Sequence, residues 1–326
     1  MKCVADKYIP YLKGRLEPFF DEVYYLEPRE ITCEVLLDID IILIRTRTKC
    51  NKSLLKGTKV KFIGTATIGT DHIDLDYCLQ NGITVCNAPG CNSRGVAQYV
   101  ESALYRFGIK KLESGISLSE KSIGIIGVGH VGKMVVAMAQ RLGLKPLLYD
   151  PPRQRFEGGN QWTADLRDVA ERSDIITVHT PLTLCGNDKT YHLINADFLK
   201  LCKPEVIIIN AARGGVIDEQ AVLQFSERAF KLVIDTWENE PDINLQLLQK
   251  AAIATPHIAG YSDEGKRNAT RMVLEQLAQY MHCDFDTAGL ATSSDPLPIY
   301  DIMNDDRLFR ANPQDFEYLR QHYHFR

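Results

Sequence analysis

Two periods of apolar positions alternate along the chain. Short runs rich in Ile, Val and Leu are separated by longer stretches whose apolar residues recur at helical spacing, the alternation that builds parallel sheets covered by helices. In the N-terminal part, Lys2–Val4, Ile41–Arg45, Lys61–Thr65 and Thr84–Asn87 read as strands of one small α/β unit. From Lys121 a second series follows: KSIGIIGVG, KPLLYD, DIITVHTP, EVIIINAA, KLVIDTWE and AAIATPHIAG. Six apolar runs separated by helix-length segments predict a doubly wound parallel sheet of the nucleotide-binding (Rossmann) kind.

Two amphipathic segments connect these series. Residues 93 to 112, SRGVAQYVESALYRFGIKKL, place Val96, Tyr99, Val100, Ala103, Leu104 and Phe107 at helical spacing and predict a crossing from the first unit to the second. Residues 263 to 281 place Ala269, Met272, Val273, Leu277 and Tyr280 on one face and predict the return. The expected organisation is interleaved: residues 1–93 and 263–284 form a smaller flavodoxin-like α/β substrate domain, 94–262 the Rossmann domain, and 285–326 a C-terminal segment too short to hold a core of its own.

Composition narrows the classes. With 45% hydrophobic and 25% charged residues over 326 positions, the chain buries a sizeable core and is neither disordered nor low-complexity. Its 38 basic and 42 acidic residues leave a net charge of -4, so no global positive field attracts nucleic acid or an anionic membrane. Any anionic ligand is then held by local chemistry. The nine cysteines are scattered without a C-x-x-C pair or zinc-site spacing, which predicts reduced thiols and no metal site. The opening MKCVADKYIPYLKG lacks the apolar core of a secretory signal, and the cytoplasm is the expected location.

The most informative local pattern is Gly127-Val128-Gly129-His130-Val131-Gly132, directly after one apolar run and opening an amphipathic stretch. The first glycine permits a tight turn, the second admits a pyrophosphate to the backbone, and the third allows close helix-to-strand packing, with the helix N-terminus facing the anion. Gly127, Gly129, His130, Val131 and Gly132 are therefore cofactor-binding candidates. Asp150 ends the next run, PLLYD; a carboxylate there accepts from ribose hydroxyls and repels a 2'-phosphate, favouring NAD over NADP. The bland alternative is a glycine turn beside a surface aspartate.

Three later strand ends carry polar groups where ligands of such sheets bind. Arg213 precedes two glycines in NAARGGVID, Asp235 to Pro241 read DTWENEP, and His257 lies in TPHIAGY. Taken singly, these are a surface arginine, a solvated acidic loop and a structural histidine. Taken together, they suit hydride transfer from an alcohol bearing a neighbouring carboxylate. His257 is then the general base, Glu240 its partner, and Arg213 the clamp on the carboxylate and developing carbonyl. Asp235 is placed to accept from a nicotinamide carboxamide, and Thr180 in VHTPL to meet the cofactor from the neighbouring strand.

In order and spacing, GVGHVG, VHTPL, NAARGGVIDEQAV, DTWENEP and TPHIAGYSDEGK resemble the D-isomer-specific 2-hydroxyacid dehydrogenases. FIGTATIGTDHID, NAPGCN, YDPPR, DTWENEPDIN and HIAGYSDEGK are similar to a branch of that family that oxidises a phosphorylated hydroxy acid in pyridoxine biosynthesis. The resemblance covers roughly residues 1 to 285 and implies an NAD-dependent oxidoreductase. It carries catalytic roles onto Arg213, Glu240 and His257, cofactor contacts onto Asp150, Thr180, Asp235 and Gly260, and substrate contacts onto Thr46, Thr67 and Tyr261. Arg45, beside Thr46 at a strand end, adds a guanidinium for a phosphate. YDIMNDDRLFR, 300 to 310, resembles part of a C-terminal region that pairs two subunits, which implies a homodimer, here with a shorter tail and with Arg310 expected at the partner's phosphate site. The competing expectations are a dehydrogenase of another D-2-hydroxy acid, such as D-3-phosphoglycerate, and a cofactor-sensing corepressor-like protein on the same fold.

Overall fold

The N-terminal apolar runs lie side by side as five parallel strands, β1 (Lys2–Asp6), β2 (Glu22–Leu26), β3 (Ile41–Ile44), β4 (Phe62–Thr65) and β5 (Thr84–Cys86). Their order in this computed structural model is β2-β1-β3-β4-β5, the flavodoxin-like order. All residues are described except 110–120, 164, 226–228, 293–294 and 325. β3 and β4 are buried along their whole length, which is why they read as continuous apolar runs. β2, with sequence EVYYL, is an edge strand of exposed and half-buried residues, and the apolar pattern alone passes over it. The helix Asp263–Met281 buries Val273, Leu274 and Leu277 against Cys3, Leu43 and Phe62.

The second sheet contains β6 (Ser122–Ile126), β7 (Lys145–Tyr149), β8 (Ile175–Val178), β9 (Ile207–Asn210), β10 (Lys231–Ile234) and β11 (Ile253–Ala254), ordered β11-β10-β9-β8-β6-β7. Every pair is parallel. β6 has β7 on one side and β8 on the other, so the strand order reverses there and creates a switch point. One face is covered by the helices Ser93–Arg106 and His130–Leu142, whose Tyr99, Val100, Val135 and Met138 pack on Ile123, Ile125 and Ile209. The expected extension of the first of these helices reaches residues 110–112, which lie outside the described residues. Among the described residues, no helix is long and apolar enough to cross a membrane.

The chain divides into two units, Met1–Asn92 with Ser262–Asp295, and Ser93–Tyr261 with Pro296–Arg326. The tail is therefore not the separate segment expected from residue 285. Phe285 and Leu290 join the core of the first unit, while the helices Ile302–Ala311 and Phe316–Gln321 bury Phe309 and Phe316 in the second. The cause is aromatic packing: the Phe309 ring meets Trp237 at 5.8 Å and Phe316 at 5.6 Å, both edge-on. Arg310 also departs from expectation. Its Nε bonds Asp306 at 2.9 Å and its Nη groups donate to the carbonyls of Leu248 and Ala251, closing the end of the helix Leu245–Lys250 within its own unit.

Candidate active site

Because the second sheet is wholly parallel, its carboxyl ends share one edge, and each strand runs out there into a candidate residue. Gly127 follows β6, Asp150 follows β7, Thr180 lies just past β8, Arg213 past β9, Asp235 follows β10 and His257 lies past β11.

The glycine loop is shaped by contact distances. Gly127 has φ +86°, and a Cβ on it would stand 2.8 Å from the His179 backbone, so only glycine turns here against the neighbouring strand end. A Cβ on Gly132 would stand 2.1 Å from the Gly127 carbonyl, which fixes the helix close to the strand. A Cβ on Gly129 meets nothing within 4 Å. Gly129 caps the helix His130–Leu142 with no side-chain hydrogen bond, so the N–H groups of its first turn, from His130 and Val131 onward, point outward without a cap. Asp150 ties this loop to β7: Oδ2 accepts from the Val128 N–H at 2.8 Å and Oδ1 from the Arg153 N–H at 3.1 Å. Across the switch point the Thr180 hydroxyl is buried with no hydrogen-bond partner. An uncapped helix N-terminus, open space at Gly129 and an unpaired buried hydroxyl fit a dinucleotide.

At the other end of the edge, His257 and Glu240 are in contact. His257 Nδ1 and Glu240 Oε2 are 2.8 Å apart, and Glu240 Oε1 accepts from the Trp237 N–H at 2.9 Å. Burial pushes the Glu240 carboxyl up, but the hydrogen bond and charge of His257 and the Trp237 N–H outweigh it and hold the group below the usual range. As an anion it accepts only, so Nδ1 is the donor of this bond, and in the neutral ring Nε2 presents a lone pair. His257 is held at φ +56°, a left-handed conformation that few non-glycine residues adopt. Asp235 anchors that backbone. Its Oδ1 accepts from Thr255 Oγ1 at 2.6 Å and from the Ile258 N–H at 2.8 Å, and its Oδ2 from the Ala259 N–H at 3.0 Å. Burial pushes its carboxyl up; Oδ2 keeps capacity for a further donor. Gly260 and Tyr261 complete the turn, with the Tyr261 N–H bonded to the Ile258 carbonyl at 2.8 Å.

Arg213 donates from Nη1 to the Ala212 carbonyl at 2.8 Å, and its own carbonyl accepts from Asn210 Nδ2 at 3.0 Å. A Cβ on the next residue, Gly214, would overlap the Trp237 carbonyl at 1.7 Å, so the Arg213 loop lies against the loop of Glu240. In the first unit, Arg45 Nε pairs with the buried Asp6 carboxylate at 3.0 Å and its guanidinium lies over the Tyr8 ring at 5.4 Å. Thr46 is exposed just beyond β3. Thr67 Oγ1 donates to the Gly69 carbonyl at 2.9 Å and lies 2.7 Å from Thr65 Oγ1, itself 3.0 Å from His72 Nε2.

Sequence reasoning passed over several neighbours. They are His192, which pairs with Glu238 at 2.8 Å, Glu219, whose Oε1 accepts from the Glu238 N–H at 2.8 Å, and Arg153, which donates to the Val128 carbonyl beside Asp150. The motif YDPPR contained the one available signal, for Arg153; the others depend on tertiary packing.

A nucleotide-binding sheet whose edge holds a carboxylate–imidazole pair and an arginine defines an NAD-dependent 2-hydroxyacid oxidoreductase. The chain belongs to the D-isomer-specific 2-hydroxyacid dehydrogenases: the NAD-binding domain of that family matches residues 93–259. Its cofactor is NAD. It is 45% identical over 342 aligned positions to erythronate-4-phosphate dehydrogenase of Bacteroides fragilis, spanning 100% of this chain and 97% of that relative. It is 39% identical to the enzyme of the same name from Escherichia coli, over 99% of this chain and 91% of the other. Among solved structures, NAD-bound 3-phosphoglycerate dehydrogenase of Entamoeba histolytica superimposes with a TM-score of 0.70 at 28% identity, covering 86% of this chain and 95% of that one.

Proposed function

We propose that this chain oxidises 4-phospho-D-erythronate to (3R)-3-hydroxy-2-oxo-4-phosphooxybutanoate with NAD, a step of pyridoxine and pyridoxal phosphate biosynthesis, as a cytoplasmic homodimer. The observation that carries the substrate assignment is identity of 45% sustained over the whole chain to an erythronate-4-phosphate dehydrogenase. The chemistry is supported by the 2.8 Å contact between His257 and Glu240. On this reading His257 Nε2 takes the proton of the C2 hydroxyl as the carbonyl forms, and the ion pair with Glu240 stabilises the charged imidazole. Arg213 binds the substrate carboxylate and the developing carbonyl oxygen. Gly127, Gly129, His130, Val131, Gly132, Asp150, Thr180, Asp235 and Gly260 hold NAD, which when bound accepts the hydride from C2. Arg45, Thr46, Thr67 and Tyr261 contact the substrate.

Steady-state assays with NAD and a panel of 4-phospho-D-erythronate, D-3-phosphoglycerate and D-lactate test the assignment. The expected result is the highest kcat/KM for 4-phospho-D-erythronate. Equal or better turnover of D-3-phosphoglycerate defeats it, and no turnover of any member favours the cofactor-sensing alternative. Light scattering is expected to give twice the chain mass of 36.8 kDa.

A further inference from the structure

The loop after β4 joins two hydroxyls, an imidazole and a carbonyl in one row of hydrogen bonds. It lies at the carboxyl edge of the first sheet, where ligands of parallel sheets bind. The Ala66 N–H donates to the Ile44 carbonyl at 2.9 Å, the Thr67 carbonyl accepts from the Ala88 N–H at 2.9 Å, and the Ile68 carbonyl accepts from Asn87 Nδ2 at 2.6 Å. The loop is thus pinned to the chain just past β3 and β5. Within it, Thr67 Oγ1 donates to the Gly69 carbonyl at 2.9 Å, Thr65 Oγ1 lies 2.7 Å from Thr67 Oγ1, and His72 Nε2 lies 3.0 Å from Thr65 Oγ1. Thr65 is fully buried and Thr67 half-buried.

Counting protons fixes the direction of every bond in this row. A carbonyl only accepts, so the single hydroxyl proton of Thr67 is committed to Gly69. The 2.7 Å contact then takes its proton from Thr65, and the 3.0 Å contact takes its proton from His72, which carries hydrogen on Nε2. Burial holds His72 below the usual histidine range against the charge of Asp71, so at neutral pH the ring is uncharged and Nδ1 bears the lone pair. Toward a ligand, Thr67 therefore offers a lone pair and no proton. Donating instead would leave the Gly69 carbonyl without its partner. 4-Phospho-D-erythronate presents a carboxylate and a phosphate, which accept at neutral pH, and two hydroxyls, of which the one on C2 gives its proton to His257 in the reaction proposed above. The C3 hydroxyl is the donor that remains. We propose that Thr67 is a specificity-determining residue that accepts a hydrogen bond from this C3 hydroxyl, selecting acids with a hydroxyl next to the oxidised carbon, while Thr65 and His72 order the protons behind it. This rests on the substrate reading above, with Thr67 as one of its contacts. D-3-phosphoglycerate and D-lactate lack that hydroxyl.

The test uses two acids with NAD, 4-phospho-D-erythronate and its 3-deoxy analogue, D-2-hydroxy-4-phosphobutanoate. Their kcat/KM ratio is measured in the wild type, in Thr67→Val, which keeps the shape and removes the acceptor, and in Thr67→Ser, which keeps the acceptor. The wild type is expected to favour the C3-hydroxylated acid on the order of tenfold. Thr67→Val should bring the two acids close to parity, and Thr67→Ser should retain most of the preference. Damage to the fold lowers both acids together and cancels in the ratio; Thr67→Ala serves the same purpose if the valine variant does not fold. Parity in the wild type, or a preference that Thr67→Val leaves unchanged, overturns the proposal. The His72 ring is read separately by nitrogen NMR. Its proton is expected on Nε2, and a ring protonated at Nδ1 alone reverses the row and overturns the proposal as well. If the wild type oxidises neither acid, the reaction fails, and the same ratio is taken from dissociation constants measured by calorimetry with NADH bound. A preference that Thr67→Val abolishes then supports the contact, and binding of neither acid overturns both readings.

Discussion

Around the loop Trp237–Glu240, neighbouring carboxylates are driven in opposite directions. Glu240 is held low by its contact with His257, whereas Glu219 is pushed up to about 7 by burial and by repulsion from Glu238 and Glu240, against the opposing Glu238 N–H bond. The consequence for stability has a definite sign. Between the ordinary value of 4.5 and about 7, the unfolded chain releases the Glu219 proton while the folded chain retains it. Folding stability therefore falls as pH rises through that window and levels off above it. Glu219→Gln should remove this part of the pH dependence, a difference on the order of 1 to 3 kcal/mol between about pH 5 and about pH 8 in urea unfolding. Parallel pH curves for variant and wild type would refute the shift. Arg213 is argued at the same scale. If it clamps the substrate as proposed, replacing it with Gln removes a donor to charge that develops during oxidation, and kcat/KM should fall by about 2 to 4 kcal/mol of transition-state stabilisation. The melting temperature should change little, and a loss below about tenfold would count against its role as clamp.

At the scale of elements, the glycine loop separates packing from ligand access. Gly132→Ala drives a Cβ to 2.1 Å from the Gly127 carbonyl, so the helix His130–Leu142 must move off β6, and both thermal stability and NAD affinity are expected to fall. Gly129→Ala meets no protein atom within 4 Å, so it should weaken NAD binding in calorimetry while leaving the melting temperature near wild type. Equal loss of stability in both would show that the loop is only a structural turn. The same contrast explains what the sequence could reveal. β3, β4, β8 and β9 are buried on both faces and declare themselves as unbroken apolar runs, and the turn after β6 is set by neighbouring residues. β2 was hidden because an edge strand needs no such run. Glu219 and His192 were hidden because each acquires its meaning from a partner distant in the chain, Glu238. A charged residue on a short helix looks the same in sequence whether it faces water or a buried carboxylate.

For the molecule as a whole, the chain passes between its two units after Asn92, Tyr261 and Asp295, so each unit is completed by residues far along the sequence. A net charge of -4 leaves anion binding to local devices such as the uncapped N-terminus of the helix His130–Leu142. The last passage has the largest energetic consequence. Phe309 is fully buried against Trp237 and Phe316, and Asp306 on the same helix accepts from the N–H of Ala254, in the edge strand β11, at 2.7 Å. Trp237 in turn donates its indole N–H to the Thr255 carbonyl at 2.9 Å and supplies the N–H that holds Glu240. Removing the Phe309 ring opens a cavity beneath the loop that positions the base, so Phe309→Ala should cost about 3 to 5 kcal/mol of stability and lower kcat at temperatures where the fold persists. A tail that served only to bring subunits together would behave differently: Phe309→Ala would then change the mass measured by light scattering and leave the unfolding midpoint and turnover of the remaining species unchanged.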